Sequence, residues 1–323
     1  MAFLKTEAAA LGRARELALG WALATCLVAA AGAAKAQASP SPSPSPSPGS
    51  AGKTLQRVQA SGVVVIGHRE SSMPMSYVAN GTPMGYSVDV CLQIAQALVR
   101  HLKLREPRVA YRMVTSGNRF DAIEKGEVDL ECGSTTNTAA RRQRVAFTIA
   151  HFIASSRMVV QSSQPYSRIE DLDGKTVAST VGTTNIDSLA REAATKSVRL
   201  RVEPAKDHAE GFGWVVEGKV EGFAMDDVLL FGLRATHSKP EDLKVIGKPM
   251  TIEPYAVAFE RDNPELKAVV DAELRRLIQT RELHRLYDKW FTSPIPPRGL
   301  NLNMRMPHLL VDSLKYPSDY VPE

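Results

Sequence analysis

From residue 54 onward, short apolar runs of strand length alternate with stretches whose apolar residues recur at helical spacing. Val63 to Ile66 predicts a buried strand, and Ser87 to Leu102 predicts a helix with Val88, Cys91, Leu92, Ala95 and Leu98 on one face. The same reading gives a strand at Val109–Val114, a helix at Arg119–Lys125, a strand at Val128–Cys132 and a helix at Thr138–Val145. It continues with strands at Met158–Val160 and Thr176–Ser179, a helix at Thr184–Ala194, a strand at Val198–Val202 and a helix at Asp207–Glu217. A strand at Val220–Met225 and a helix at Asp227–Ala235 follow. Such alternation predicts an α/β protein built on mainly parallel sheets flanked by helices. Two extended passages interrupt the rhythm, at 149–156 and at 248–256, the second containing Pro249 and Pro254. The pattern alone fits either two crossings between two sheets or two sequential domains joined once.

The N-terminal segment reads as an export signal. Lys5, Arg13 and Arg15 precede an apolar stretch from Leu17 to Ala34, and Ala36-Gln37-Ala38 supplies small residues for cleavage before Ser39. An uncleaved anchor is one alternative, because the stretch nears the ~20 residues of a spanning helix. A lipoprotein is another, with Leu23-Ala24-Thr25-Cys26 as the lipidation box. Residues 39–53 form a linker whose Ser-Pro repeat favours extended polyproline II and builds no core.

Beyond residue 38, length predicts two domains. The chain holds 40 Lys+Arg and 35 Asp+Glu. Removing 1–38 takes away four cations and two acids, which leaves an excess too small to suggest nucleic acid, and no basic stripe with interleaved aromatics appears. Only Cys91 and Cys132 remain, and they are expected as buried free thiols, with pairing in an oxidising compartment as the alternative. No CxxC, HExxH or His/Cys cluster supports a metal, and no cofactor motif is present.

The candidate chemistry sits at predicted strand ends, where an open α/β sheet forms its ligand crevice. Gly67-His68-Arg69-Glu70-Ser71-Ser72 follows the first strand, and Glu131-Cys132-Gly133-Ser134-Thr135-Thr136-Asn137 follows the third. Arginine beside hydroxyl-rich turns points to an anionic ligand. Together with Ser116-Gly117-Asn118-Arg119, Ala205 to His208, Met225-Asp226-Asp227, and Asp288 to Phe291 followed by Pro294 to Pro297, these motifs give the chain its resemblance. It resembles the periplasmic glutamate/aspartate-binding proteins of bacterial ABC importers over about Thr54 to Asn303.

The resemblance implies a two-lobed periplasmic binding protein fold. Lobe 1 would be discontinuous (54–150 and 254–323), lobe 2 would span 155–250, and 149–156 with 248–256 would form a two-strand hinge. It implies a non-enzymatic, monomeric receptor that captures L-glutamate or L-aspartate and delivers it to an ABC permease. Arg69, Ser116, Arg119 and His208 match the positions that hold the ligand's side-chain carboxylate. Ser134, Thr136, Arg141 and Thr184 match those that hold its α-carboxylate, and Asp226 matches the partner of its ammonium group.

Physical reasoning agrees, since an arginine fork takes a carboxylate bidentately and a helix N-terminus after Gly182 favours an anion. The residues alone also allow surface arginines paired with Glu70 or Asp121, His208 as a neighbour of a helix cap, and Asp227 in place of Asp226. Tyr77, Tyr86 and Trp214 read as packing or rim residues. Two features depart from the family's pattern: Gly117 replaces a larger polar residue, and Ala150-His151 stands where the first hinge usually has an acid. Rival readings are a dehydratase or lyase on the same scaffold, with His208 or Glu131 as base, and a sensor module acting on a receptor in trans.

Overall fold

Val63–His68 pairs in parallel with a strand on each side, and its carboxyl half, Ile66 to His68, is buried. The computed structural model describes residues 52–106 and 108–321. The signal segment 1–38 and the linker up to residue 51 lie outside them. Lys53, the last residue assigned to the linker, already opens the helix Lys53–Ser61. The first sheet runs in the order Arg108–Met113, Val63–His68, Leu130–Glu131, Ala258–Phe259, Ala146–Phe147. The second runs Arg201–Ala205, Thr176–Thr180, Gly222–Asp226, Ser156–Gln161, Leu243–Ile246.

Each sheet has one reversed strand. Ala258–Phe259 is antiparallel to both neighbours in the first sheet, and Ser156–Gln161 is antiparallel to both in the second. The reversed strands are those that follow the two extended passages. A chain arriving from the other lobe enters at the end of the sheet facing that lobe, so it must run against the strands that finish there. The passages themselves pair, Phe152–Ala154 with Glu253–Tyr255, as a two-stranded antiparallel ribbon.

Packing around this ribbon is aromatic. Phe152 stacks on Phe291 with ring centroids 5.3 Å apart, Phe291 on Tyr287 at 4.2 Å, and Phe152 meets Tyr255 at 5.8 Å. Pairs at these separations add roughly 0.5–1.5 kcal/mol each beyond area burial. The C-terminal helix His308–Lys315 buries Leu310 and Leu314 in the same core and lies beside Phe152–Ala154.

Three sequence expectations need correction. Thr138–Val145 forms only the short turn Arg141–Gln143. Its arginines fold back on the preceding loop, Arg141 Nη1 donating to Thr136 O at 2.9 Å and Arg142 Nε to Asn137 Oδ1 at 2.9 Å. The strand expected at Val198–Val202 is Arg201–Ala205, because Ser197 takes a left-handed φ of 56° and Val198 N–H returns to Ala193 O to close the preceding helix. The cysteines are not free: Cys91 and Cys132 form a disulfide with Cα atoms 6.2 Å apart. Cys91 lies on the helix Tyr86–His101, so the two thiols meet only when that helix docks on the sheet.

Cross-linking residues 41 apart restricts the unfolded chain by about 4 kcal/mol in the loop-entropy description. Urea unfolding with and without reductant should show a loss of that order; an unchanged midpoint would mean that the bridge does not constrain unfolding.

His151, in the first passage, is buried with Nε2 3.0 Å from Ser87 Oγ and Nδ1 unpartnered. Burial pushes its pKa down to about 3. A depressed pKa stabilises the fold above the unfolded value near 6.5, and that stability is lost as pH falls toward the folded value. Between pH 6.5 and 4.5 the loss is about 2 kcal/mol. Denaturation at pH 7 and 4.5 should therefore show a smaller acid loss for His151→Gln than for the wild type; equal losses would refute this assignment.

Candidate functional site

Every predicted site residue except Arg141, which opens the turn Arg141–Gln143, stands at, or a few residues after, the carboxyl end of a strand. Arg69 follows Val63–His68, and its backbone N–H donates to Ser76 Oγ at 2.9 Å. Ser116 lies in a turn closed reciprocally by Thr115 N–H to Asn118 Oδ1 (2.8 Å) and Asn118 N–H to Thr115 Oγ1 (3.2 Å), after which Arg119 opens the helix Arg119–Glu124. Ser134 and Thr136 follow Leu130–Glu131, and Thr136 bridges to Tyr255 of the ribbon. Thr184 directly precedes the helix Asn185–Thr195, His208 begins the helix His208–Val216, and Asp226 ends Gly222–Asp226.

The two sheets present these residues to one another. Ser116, Arg119, Ser134, Thr136, Arg141, Thr184 and Asp226, with Thr183 and Met225, line one narrow cleft. Arg69 and His208 stand outside the lining. Arg69 Nη2 donates to Ser116 Oγ at 2.7 Å, and His208 Nδ1 is 2.9 Å from Thr180 Oγ1. The sheets touch through Gly182, whose carbonyl accepts from Arg119 Nη2 at 3.1 Å and Arg141 Nη2 at 3.2 Å. Its φ of +74° and the 2.7 Å between an added Cβ and Ser116 O both require glycine.

Charge is distributed unevenly across the site. Arg69 and Arg119 are buried, and neither pairs with the neighbouring acid once considered for it; Asp121 is taken instead by Arg144. Arg69 Nη1, Arg119 Nε and His208 Nε2 are buried without hydrogen-bond partners. Burial, then the charge of Arg119, lowers Arg69 to about 10 and Arg141 to about 9. Burial, then Arg69 and Arg119, pushes His208 well below its ordinary value, so the imidazole is neutral at pH 7. At the other end, burial and then Glu253 raise the Asp226 pKa, against hydrogen bonds from Tyr255 and Asn185. An anion would relieve the arginine end and a cation would relieve Asp226.

Several residues missed in the sequence complete the site. Asn185 Nδ2 donates to Asp226 Oδ1 at 3.0 Å, and Tyr255 OH donates to Oδ2. Glu253 accepts from Thr184 Oγ1 at 2.9 Å and from Thr251 Oγ1 at 2.6 Å. Asn185, directly after Thr184 in the first helical turn, was a readable signal. Glu253 and Tyr255 were not, because they reach the site from the second passage.

Residues 64–293 match the family of bacterial extracellular solute-binding proteins, family 3. An L-glutamate/L-aspartate-binding protein of Pseudomonas aeruginosa is 38% identical over 272 residues, covering 84% of this chain and 90% of that one. A glutamate/aspartate import solute-binding protein of Salmonella typhimurium is 35% identical over 271 residues, again 84% of this chain and 90% of the relative. Among solved structures, a solute receptor for L-cysteine of Neisseria gonorrhoeae superposes with a TM-score of 0.64 at 24% identity, covering 73% of this chain and 92% of that one, and shares the fold. With a family match running from the first strand of the first sheet to the turn after Phe291, the chain belongs to the bacterial extracellular solute-binding proteins of family 3.

Proposed function

We propose that this protein captures an acidic L-amino acid, glutamate or aspartate, and delivers it to the permease of an ABC importer. The observation that carries the reading is that Arg119 and Arg141 line one cleft opposite Asp226, with Arg69 bonded to Ser116 of the same lining, and that Arg69 and Arg119 each keep an unpartnered buried N–H group. That pattern is the complement of a zwitterion bearing a second carboxylate. Arg69, Ser116, Arg119 and His208 take the side-chain carboxylate. Ser134, Thr136, Arg141 and Thr184 take the α-carboxylate, and Asp226 the ammonium group. The names of the relatives support the same ligand class.

Each part of the chain takes its own share of this work. Residues 54–150 with 254–323 form one lobe, 155–250 the other, and 149–156 with 248–256 the hinge. Ligand binds the larger lobe first, and closure brings Thr184, His208 and Asp226 over it. Desolvating so much charge is costly unless every group is paired, which makes closure selective. A receptor of this family works outside the cytoplasm, where a disulfide such as Cys91–Cys132 persists. Cleavage before Ser39 would release the folded body, trailing its Ser-Pro linker, into the periplasm as a monomer.

Calorimetric titration of the protein with glutamate, aspartate, glutamine and asparagine tests the reading. Glutamine should bind weaker than glutamate by roughly 2–5 kcal/mol, because it leaves Arg69 and Arg119 without a full anionic partner. Equal affinity for the acid and its amide would overturn the assignment.

Binding should also depend on pH through Asp226. Its raised pKa means that the carboxylate needed by the ammonium group is progressively lost as pH falls. Affinity should drop up to about tenfold per pH unit below that pKa, before the ligand's own carboxylates titrate near 4. Titrations from pH 7.5 to 5 showing constant affinity would exclude this role.

A further inference from the structure

We propose that Glu131 is a positioning residue whose buried negative charge, standing behind Arg69 and Arg119, limits how tightly those guanidiniums hold a ligand carboxylate. The inference rests on the reading of the protein as an acidic amino-acid receptor. Glu131 ends the strand Leu130–Glu131 in the interior of the first sheet, paired with Gly67 on one side and Ala258 on the other. It is fully buried, and neither carboxylate oxygen has a hydrogen-bond partner. An ionised carboxylate cannot remain in such a place on hydrogen bonding; it needs positive charge close by.

Arg69 and Arg119 supply it. An added Cβ on Gly133 would lie 2.4 Å from Glu131 Oε1 and 2.9 Å from Arg69 Cγ, so the carboxylate and the arginine stem flank the same stretch of bare backbone. Among the charges acting on Arg119, that of Glu131 is the strongest, and it also acts on Arg69 and Arg141. The other buried acids of the site have hydrogen-bond donors of their own: Asp226 has Asn185 and Tyr255, and Glu253 has Thr184 and Thr251. Glu131 therefore acts through its field.

Two opposed effects follow. Glu131 makes the concentration of buried guanidinium charge tolerable, which stabilises the protein without ligand. It also competes electrostatically with any carboxylate brought to Arg69 and Arg119, so an acidic ligand is held less tightly and leaves more readily. A residue that merely filled space would move stability and affinity in the same direction.

Glu131→Gln keeps the shape and removes the charge. In the full-length variant, the glutamate dissociation constant is expected to fall on the order of tenfold, as for a unit charge removed several ångströms away in a partly screened interior. That for glutamine should change less than about twofold, since the neutral amide responds weakly to the lost charge. The ligand-free melting temperature should fall. Equal shifts for glutamate and glutamine, or weaker glutamate binding, overturn the proposal. Glu131→Asp retains the charge and should keep the wild-type ratio of the two affinities, so a changed ratio there overturns it independently, even if Glu131→Gln fails to fold. Wild-type protein in the same titrations separates the two levels: no acidic amino acid bound would sink the functional reading and this inference with it. Normal wild-type binding with equal shifts in Glu131→Gln would sink the inference alone.

Discussion

Gathering three guanidinium groups around one small cleft, those of Arg69 and Arg119 buried and that of Arg141 half-buried, is the constraint on which the rest of this structure depends. Arg119 lowers the pKa of both Arg69 and Arg141, so each arginine makes its neighbours harder to keep charged. Removing such groups from water costs several kcal/mol per ion unless charge and hydrogen bonds replace the lost hydration. Glu131 supplies charge from behind, while Ser116, Thr136 and the Gly182 carbonyl supply acceptors. The remaining demand falls on whatever enters the cleft. Selectivity for an anion thus arises from an imbalance that the protein leaves in place.

The sheets are arranged so that this imbalance can be assembled and taken apart. Strands ending at the cleft deliver Arg69 and the Ser134 loop from one sheet, and Thr184, His208 and Asp226 from the other. Most of these side chains are held within their own half: Arg69 by Ser116, Arg141 by Thr136, His208 by Thr180, Asp226 by Asn185. Contacts that cross the cleft are hydrogen bonds as well. Gly182 offers a backbone carbonyl to two arginines, and Thr184 offers a hydroxyl to Glu253 of the connecting ribbon. Tyr255 OH of that ribbon also donates to the Asp226 carboxylate, and Arg298 Nη1 donates to Thr236 O at 3.3 Å; none of these is an ion pair, so a charged ligand adds a kind of contact that the two halves do not make on their own.

How much of this could be read from the sequence depended on whether the signal was local. Alternating runs located most strands and helices to within a residue or two, as with Val63–His68 and Asp227–Thr236, because each buries a face set by its own residues. The Arg141 turn was misread as a helix because its arginines bond backward to the loop, a tertiary use that composition does not encode. The Cys91–Cys132 bridge was missed for a similar reason, since spacing along the chain says nothing of a helix docking on a strand end. The nine candidate residues were legible only through the joint order of motifs, as each arginine alone also fits a surface ion pair.

Glu131 marks the limit of that approach. It stands in the same motif as Ser134 and Thr136, yet a carboxylate beside a predicted anion site looks contradictory if charge is read residue by residue. The contradiction disappears once burial is known, because three arginines without an internal counter-charge would be too costly to fold around. A receptor must also let its ligand go, and the affinity of a fully buried bidentate carboxylate can be raised further simply by removing opposing charge. The acid in the sheet therefore answers two requirements at once, tolerable folding and reversible capture, and an anion-binding cleft built without it would satisfy neither.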